Sequence, residues 1–70
     1  MAIKKLENSD VGARVIYSSF DKEEEGVIKN FNNGRKVAWV VFHCNNEWEN
    51  YRDYTAQCTN YSDLRLKYEN

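Results

Sequence analysis

The run Arg35-Lys36-Val37-Ala38-Trp39-Val40-Val41-Phe42-His43 restricts the fold of this chain more than any other stretch. Its valines and aromatics favour an extended backbone, where branched and ring side chains pack well on a pleated surface. In a strand, successive side chains point to opposite faces, so Ala38, Val40 and Phe42 share one face and Val37, Trp39 and Val41 the other. Both sets are apolar. A chain of 70 residues has room for one small core, so only one set can fill the interior of a curled sheet. The other must cover an end, meet the termini or lie exposed.

Neighbouring segments supply partners for this strand. Asn32-Asn33-Gly34 just before it is a hairpin signal, because Asn and Gly tolerate the positive φ of tight turns. Upstream, Val27, Ile28 and Phe31 predict a strand beginning at Gly26. The three-residue step from Ile28 to Phe31 breaks alternation, and one extra residue near Lys29-Asn30, a β-bulge, restores both side chains to one face. Val11, Val15 and Tyr17 share odd parity and predict a first strand over about Ala13 to Ser18, with Ile16 on its opposite face. Between the two, SSFDKEEE carries Asp21, Glu23, Glu24 and Glu25 and is expected to be a solvated charged loop, with no calcium-loop spacing.

After His43 the sequence turns polar but keeps large aromatics. Asn46 followed by Glu49 matches a loosened capping box, and Trp48, Tyr51 and Tyr54 recur every third residue. One short helical turn and an extended loop fit this pattern equally. YTAQCT predicts a short strand, and TNYSDL a tight or 3-10 turn with Ser62 or Asp63 as its cap. The last strand then places Leu64 and Leu66 on one face. Residues 1–9 are expected to be a polar lead-in anchored by Ile3 and Leu6, and residues 10–70 a single all-β domain of five strands.

Composition narrows the function classes. Leu, Ile, Val and Phe make up fifteen residues, and two Trp and five Tyr supplement them, while the net charge is −1. That low charge argues for a folded chain and against a general nucleic-acid binder, which needs many cations to displace counterions. A core this small leaves little volume for a walled catalytic cleft. No Gly-rich phosphate loop, Ser-His-Asp set or spaced carboxylate pair stands out, so a non-enzyme without cofactor is expected. His43, Cys44 and Cys58 offer at most three metal ligands, and adjacent His43 and Cys44 point to opposite faces of any strand, so no metal site is expected. The start MAIKKLENSD lacks the apolar run of a secretory signal, and no stretch approaches a membrane span, so a cytoplasmic protein with reduced thiols is expected.

Several of these segments also carry a likeness. "VGARVIY", "EEGVI", the Asn-Gly hairpin, "VAWVVF" and "YTAQCTNYSDLRL" together resemble the small SH3-like barrels of uncharacterised phage and prophage proteins, over about residues 10 to 68. The matching positions are Val11, Gly12, Val15 and Tyr17; Glu24, Glu25, Gly26 and Val27; Ala38, Val40 and Phe42; and Asp63 and Leu64. The resemblance implies a five-stranded SH3-like barrel with Ala38, Val40 and Phe42 inward. It says almost nothing about function, because such folds host many activities. The aromatic stretch from Trp48 to Asp53 is longer than the loop the resemblance implies.

Two surfaces emerge as binding candidates. The outward stripe Val37, Trp39 and Val41, extended by Ile16, is one, unless Ile3 and Leu6 fold back over it. Trp48, Tyr51, Arg52 and Tyr54 form the second, since Trp, Tyr and Arg dominate interface hot spots. The expected function is a protein-binding module, in the likeness of a phage accessory protein docking on a host protein in the host cytoplasm, with self-association left open. A nucleic-acid barrel using Lys29, Arg35, Lys36 and Arg52 is the first alternative. The second is a Tudor-like cage for a methylated cation, drawing three aromatics from Tyr17, Phe20, Trp39, Trp48 and Tyr51.

Overall fold

A computed structural model describes residues 2–42 and 48–67, Trp48 by its backbone only. Five antiparallel strands form one sheet: β1 (Arg14–Ser19), β2 (Lys22–Asn32), β3 (Val37–Phe42), β4 (Gln57–Asn60) and β5 (Leu64–Leu66). Their order is β4-β3-β2-β1-β5. β4 pairs only with β3, and β5 only with β1, so the sheet curls without closing. The mostly-β expectation therefore holds, while barrel closure is not seen among the described residues. Short 3-10 turns span Asn8–Asp10, Trp48–Asp53 and Tyr61–Asp63.

The acidic segment is a correction. It is not a loop: β2 starts at Lys22 and pairs with β1 as far as Ser19↔Lys22, leaving a two-residue turn at Phe20 and Asp21. Three consecutive glutamates present no apolar face to read; the segment is held by the β1 backbone ladder, and cations from neighbouring segments pair with its carboxylates. Arg14 reaches Glu25 at 3.0 Å, Lys67 reaches Glu25 at 2.7 Å, and Arg65 reaches Glu23 at 2.8 Å. These partners come from both ends of the chain, out of reach of a local reading.

The bulge lies where alternation breaks. Ile28 pairs with Val40, but Asn30 pairs with Trp39 and Phe31 with Ala38. One slipped residue thus keeps Ile28 and Phe31 over the same interior. There Val15, Ile28, Ala38, Val40 and Leu64 pack with Ile3, Leu6 and Tyr61, flanked by Tyr17, Phe31, Phe42 and Leu66. Gly26 lies on this inner face because there is no room for more: a Cβ would collide with Val40 Cγ1 and stand 3.0 Å from the Phe42 ring.

Ile3 and Leu6 join this inner cluster and do not cover Trp39. The Ile3 N–H donates to the Leu64 carbonyl at 3.0 Å, and Leu6 is tied to the β2–β3 hairpin through Asn33. The opposite face carries a second cluster, in which Val27 and Val41 lie under Tyr51, with Val11, Tyr54 and Ala56 packed alongside.

Candidate protein-binding groove on the outer face

Alternation along β3 sends Val37, Trp39 and Val41 outward, as expected, but the three have different fates. Val41 is fully buried beneath Tyr51, which is itself only 9% exposed. Neither is a free contact residue, which corrects their place in the expected surface: a 3-10 turn folds back and seals this part of the sheet. Val37 is half-buried near the hairpin and pairs with Asn32 and Asn60.

Trp39 is the outward residue that opens onto a groove. It is half-buried and lines an open groove of about 550 Å³ with Lys29, Asn30, Asp53, Tyr54, Thr55 and Ala56. One wall is the β2 bulge, and the other is the chain leaving the Trp48–Asp53 turn. Lys29 spans the two by donating from Nζ to the Tyr54 carbonyl at 2.9 Å. The Tyr54 N–H donates to the Tyr51 carbonyl at 3.2 Å, and its side chain packs against the Val27 and Val41 cluster. The groove walls are therefore tied to the sheet on two sides.

Tyr51, the residue that seals the neighbouring surface, is fixed by its surroundings. Gly12 has φ of +92°, a conformation open to glycine at little cost, and a Cβ there would meet the Tyr51 hydroxyl at 3.3 Å. The exposed Arg52 donates from Nε to that hydroxyl at 3.2 Å and holds its guanidinium carbon 5.5 Å from the ring centre. Such an arrangement is a cation–π contact at the surface. Arg52 thus braces Tyr51 beside the groove.

Of the seven expected site residues, the structure brings Trp39 and Tyr54 to one groove, with Val41 and Tyr51 packed next to it and Arg52 over Tyr51. The Trp48 side chain lies outside the described residues. Reasoning from sequence missed Asn30, Asp53, Thr55 and Ala56 and gave Lys29 a different role. The bulge at Lys29-Asn30 was the available signal, since bulges re-aim side chains at sheet edges and sites. Ile16 does not extend the stripe. It pairs with Glu25 and Arg65 on the far side of β2, among the ion pairs. There the Arg65 hydrogen bond holds the Glu23 carboxyl below its ordinary range, and chiefly the Lys67 hydrogen bond does so for Glu25.

The alternatives can be placed on the same surfaces. Tyr17 is on the inner face, edge-on to Phe42 at 5.9 Å, while Tyr51 is on the outer face and Phe20 at a turn. No three of the named aromatics converge among the described side chains. Arg35 and Lys36 belong to the β2–β3 turn, far from Arg52 over Tyr51, and Lys29 is engaged with Tyr54. His43 and Cys44 lie outside the described residues, Cys58 is a free exposed thiol, and no group of three potential metal ligands occurs among the described residues. No helix among them is long and apolar enough to cross a membrane. Comparison with protein-family models, with curated proteins and with solved structures returned no match.

Proposed function

We propose that this chain is a non-enzymatic protein-binding module of SH3-like type that acts in the cytoplasm through the Trp39 groove. The observation that carries the reading is the contrast on one face: Val41 is sealed by Tyr51, whereas Trp39 is left at an open, braced groove. A half-exposed Trp beside a Tyr and small residues is the chemistry of an interface anchor. Its occupant is an extended protein segment that lays an apolar side chain on the indole and hydrogen-bonds to Asn30 and Thr55. The strand order and the 3-10 turn before β5 support the barrel-type reading. The likeness to phage proteins makes a host protein the favoured partner.

The test is quantitative capture from host lysate with wild-type protein and Trp39→Ala, followed by affinity measurement on whichever protein is retained. A loss of affinity of about tenfold or more, with an unchanged fold, supports the reading. Equal capture by both proteins overturns it. Tight, salt-sensitive binding of wild type to single-stranded oligonucleotide, with no protein captured, would favour the nucleic-acid class instead.

A further inference from the structure

Two features at opposite ends of β2 have no part in the Trp39 groove. At the start of β2, Phe20 is fully exposed, at 104% of its reference area, with φ of +54°. A two-residue hairpin with positive φ at its first turn residue normally takes glycine there. A phenylalanine in that conformation is sterically costly, and its ring buries nothing within the molecule. Asp21, Glu23 and Glu24 follow it, with Lys22 the one cation in the segment from 20 to 25 and Arg65 of β5 bonded to Glu23 at 2.8 Å.

At the other end of β2, the β2–β3 turn and the N-terminal segment enclose a groove of about 490 Å³. Ala2, Ile3 and Tyr61 give it an apolar floor, and Lys4, Arg35 and Lys36 a basic rim, with no acid in its lining. Lys5, next along the chain, is exposed. None of these four cations makes an ion pair among the described residues. Lys36 also has positive φ, +56°, again where Gly or Asn is cheaper. An apolar groove with a basic rim is complementary to an apolar tip with an acidic flank. Because the two lie at opposite ends of an eleven-residue strand, they cannot meet within one molecule.

We infer that copies of this chain associate head to tail, the Phe20 hairpin tip of one copy docking in the Lys4–Arg35–Lys36 groove of the next. The contact is small, so the association is weak and depends on concentration. It is heterologous, so a pair still has one free tip and one free groove, and chains or rings follow. This surface is separate from the Trp39 groove, and the inference stands or falls independently of the proposed function.

Sedimentation equilibrium over a concentration series tests it, at low salt and at about 0.5 M salt, where screening is short-ranged. The wild-type mass should rise above 8.3 kDa with concentration and fall back at high salt. Phe20→Asn, which suits the turn, and Arg35→Glu should each stay monomeric with unchanged circular dichroism. Mixed together, they should form a twofold-mass dimer and nothing larger, because each retains one intact half. Trp39→Ala should associate as wild type does. A wild type that stays monomeric throughout overturns the inference, as does a Phe20→Asn variant that still associates. A mixture that remains monomeric does so too, and oligonucleotide binding by a monomeric wild type would assign the groove to phosphate.

Discussion

The Asn33 side chain is bonded to the backbone of Leu6 as a neighbouring strand would be: its Oδ1 accepts from the Leu6 N–H at 2.9 Å, and its Nδ2 donates to the Leu6 carbonyl at 2.8 Å. The same Oδ1 accepts from the Tyr61 hydroxyl at 2.7 Å. One amide in a hairpin turn therefore fastens the N-terminal segment and the 3-10 turn before β5 to the sheet.

Asn33→Ala should accordingly cost about 2–3 kcal/mol, the sum of three partly buried hydrogen bonds whose partners are left behind. Leu6 and Ile3 lose their tether, so residues before Ala13 should become sensitive to protease well below the global unfolding transition. Chemical denaturation together with limited proteolysis measures both effects.

Two glycines should differ sharply in how well they tolerate a methyl. Gly26→Ala drives a methyl against Val40 and Phe42 on the packed inner face and should cost about 3 kcal/mol or more. Gly34→Ala meets only the Asn32 side-chain oxygen, at 3.3 Å, and should cost less than about 1 kcal/mol. Paired thermal melts distinguish them.

Tyr51 and Trp39, each a candidate contact residue from sequence, separate by role. Tyr51→Ala uncovers Val27 and Val41 and should lower stability by about 3 kcal/mol, a fall in Tm of more than about 10 °C for a chain this small. Trp39→Ala should change Tm by only a few degrees, on the order of 1 kcal/mol. Differential scanning calorimetry of the two variants checks the division.

The charge ladder sets an acid limit. Glu23 and Glu25 have folded pKa values below their ordinary 4.5, so their contribution is present above that value and is lost as pH falls through the folded pKa. Glu23 is exposed and Glu25 lies in a partly covered surface pair, so the decline should be shallow and should shrink further at high salt. On the alkaline side, burial raises the Tyr61 pKa above 10.0, so stability should begin to fall as pH rises past that value. Urea midpoints across the pH range read out both limits.

What the sequence revealed follows from the range of the interactions involved. The β3 run, the bulge after Ile28, the hairpin after Asn32 and the Leu64–Leu66 pair are local patterns, and each is present in the structure, although the positive φ of that hairpin falls at Lys36 and not at Asn33 or Gly34. The strand at Lys22–Glu25 was hidden because its partners Arg14, Arg65 and Lys67 are distant in sequence. Asn33 reads as a turn former from its neighbours, and only the fold brings it to Leu6 and Tyr61. The same limit applies to the candidate site. Parity placed Trp39 outward, but that Tyr51 would cover Val41 and leave Trp39 open depends on where the chain from 48 to 56 returns, which no periodicity encodes.

The most direct measurement is nuclear magnetic resonance shift mapping of the labelled protein against the captured partner protein. The Trp39 indole N–H and the amides of Asn30, Thr55 and Ala56 should shift most on titration, while those of Val15 and Leu64 in the inner core stay in place. A saturable interaction that leaves the Trp39 indole unmoved and shifts another face would contradict it.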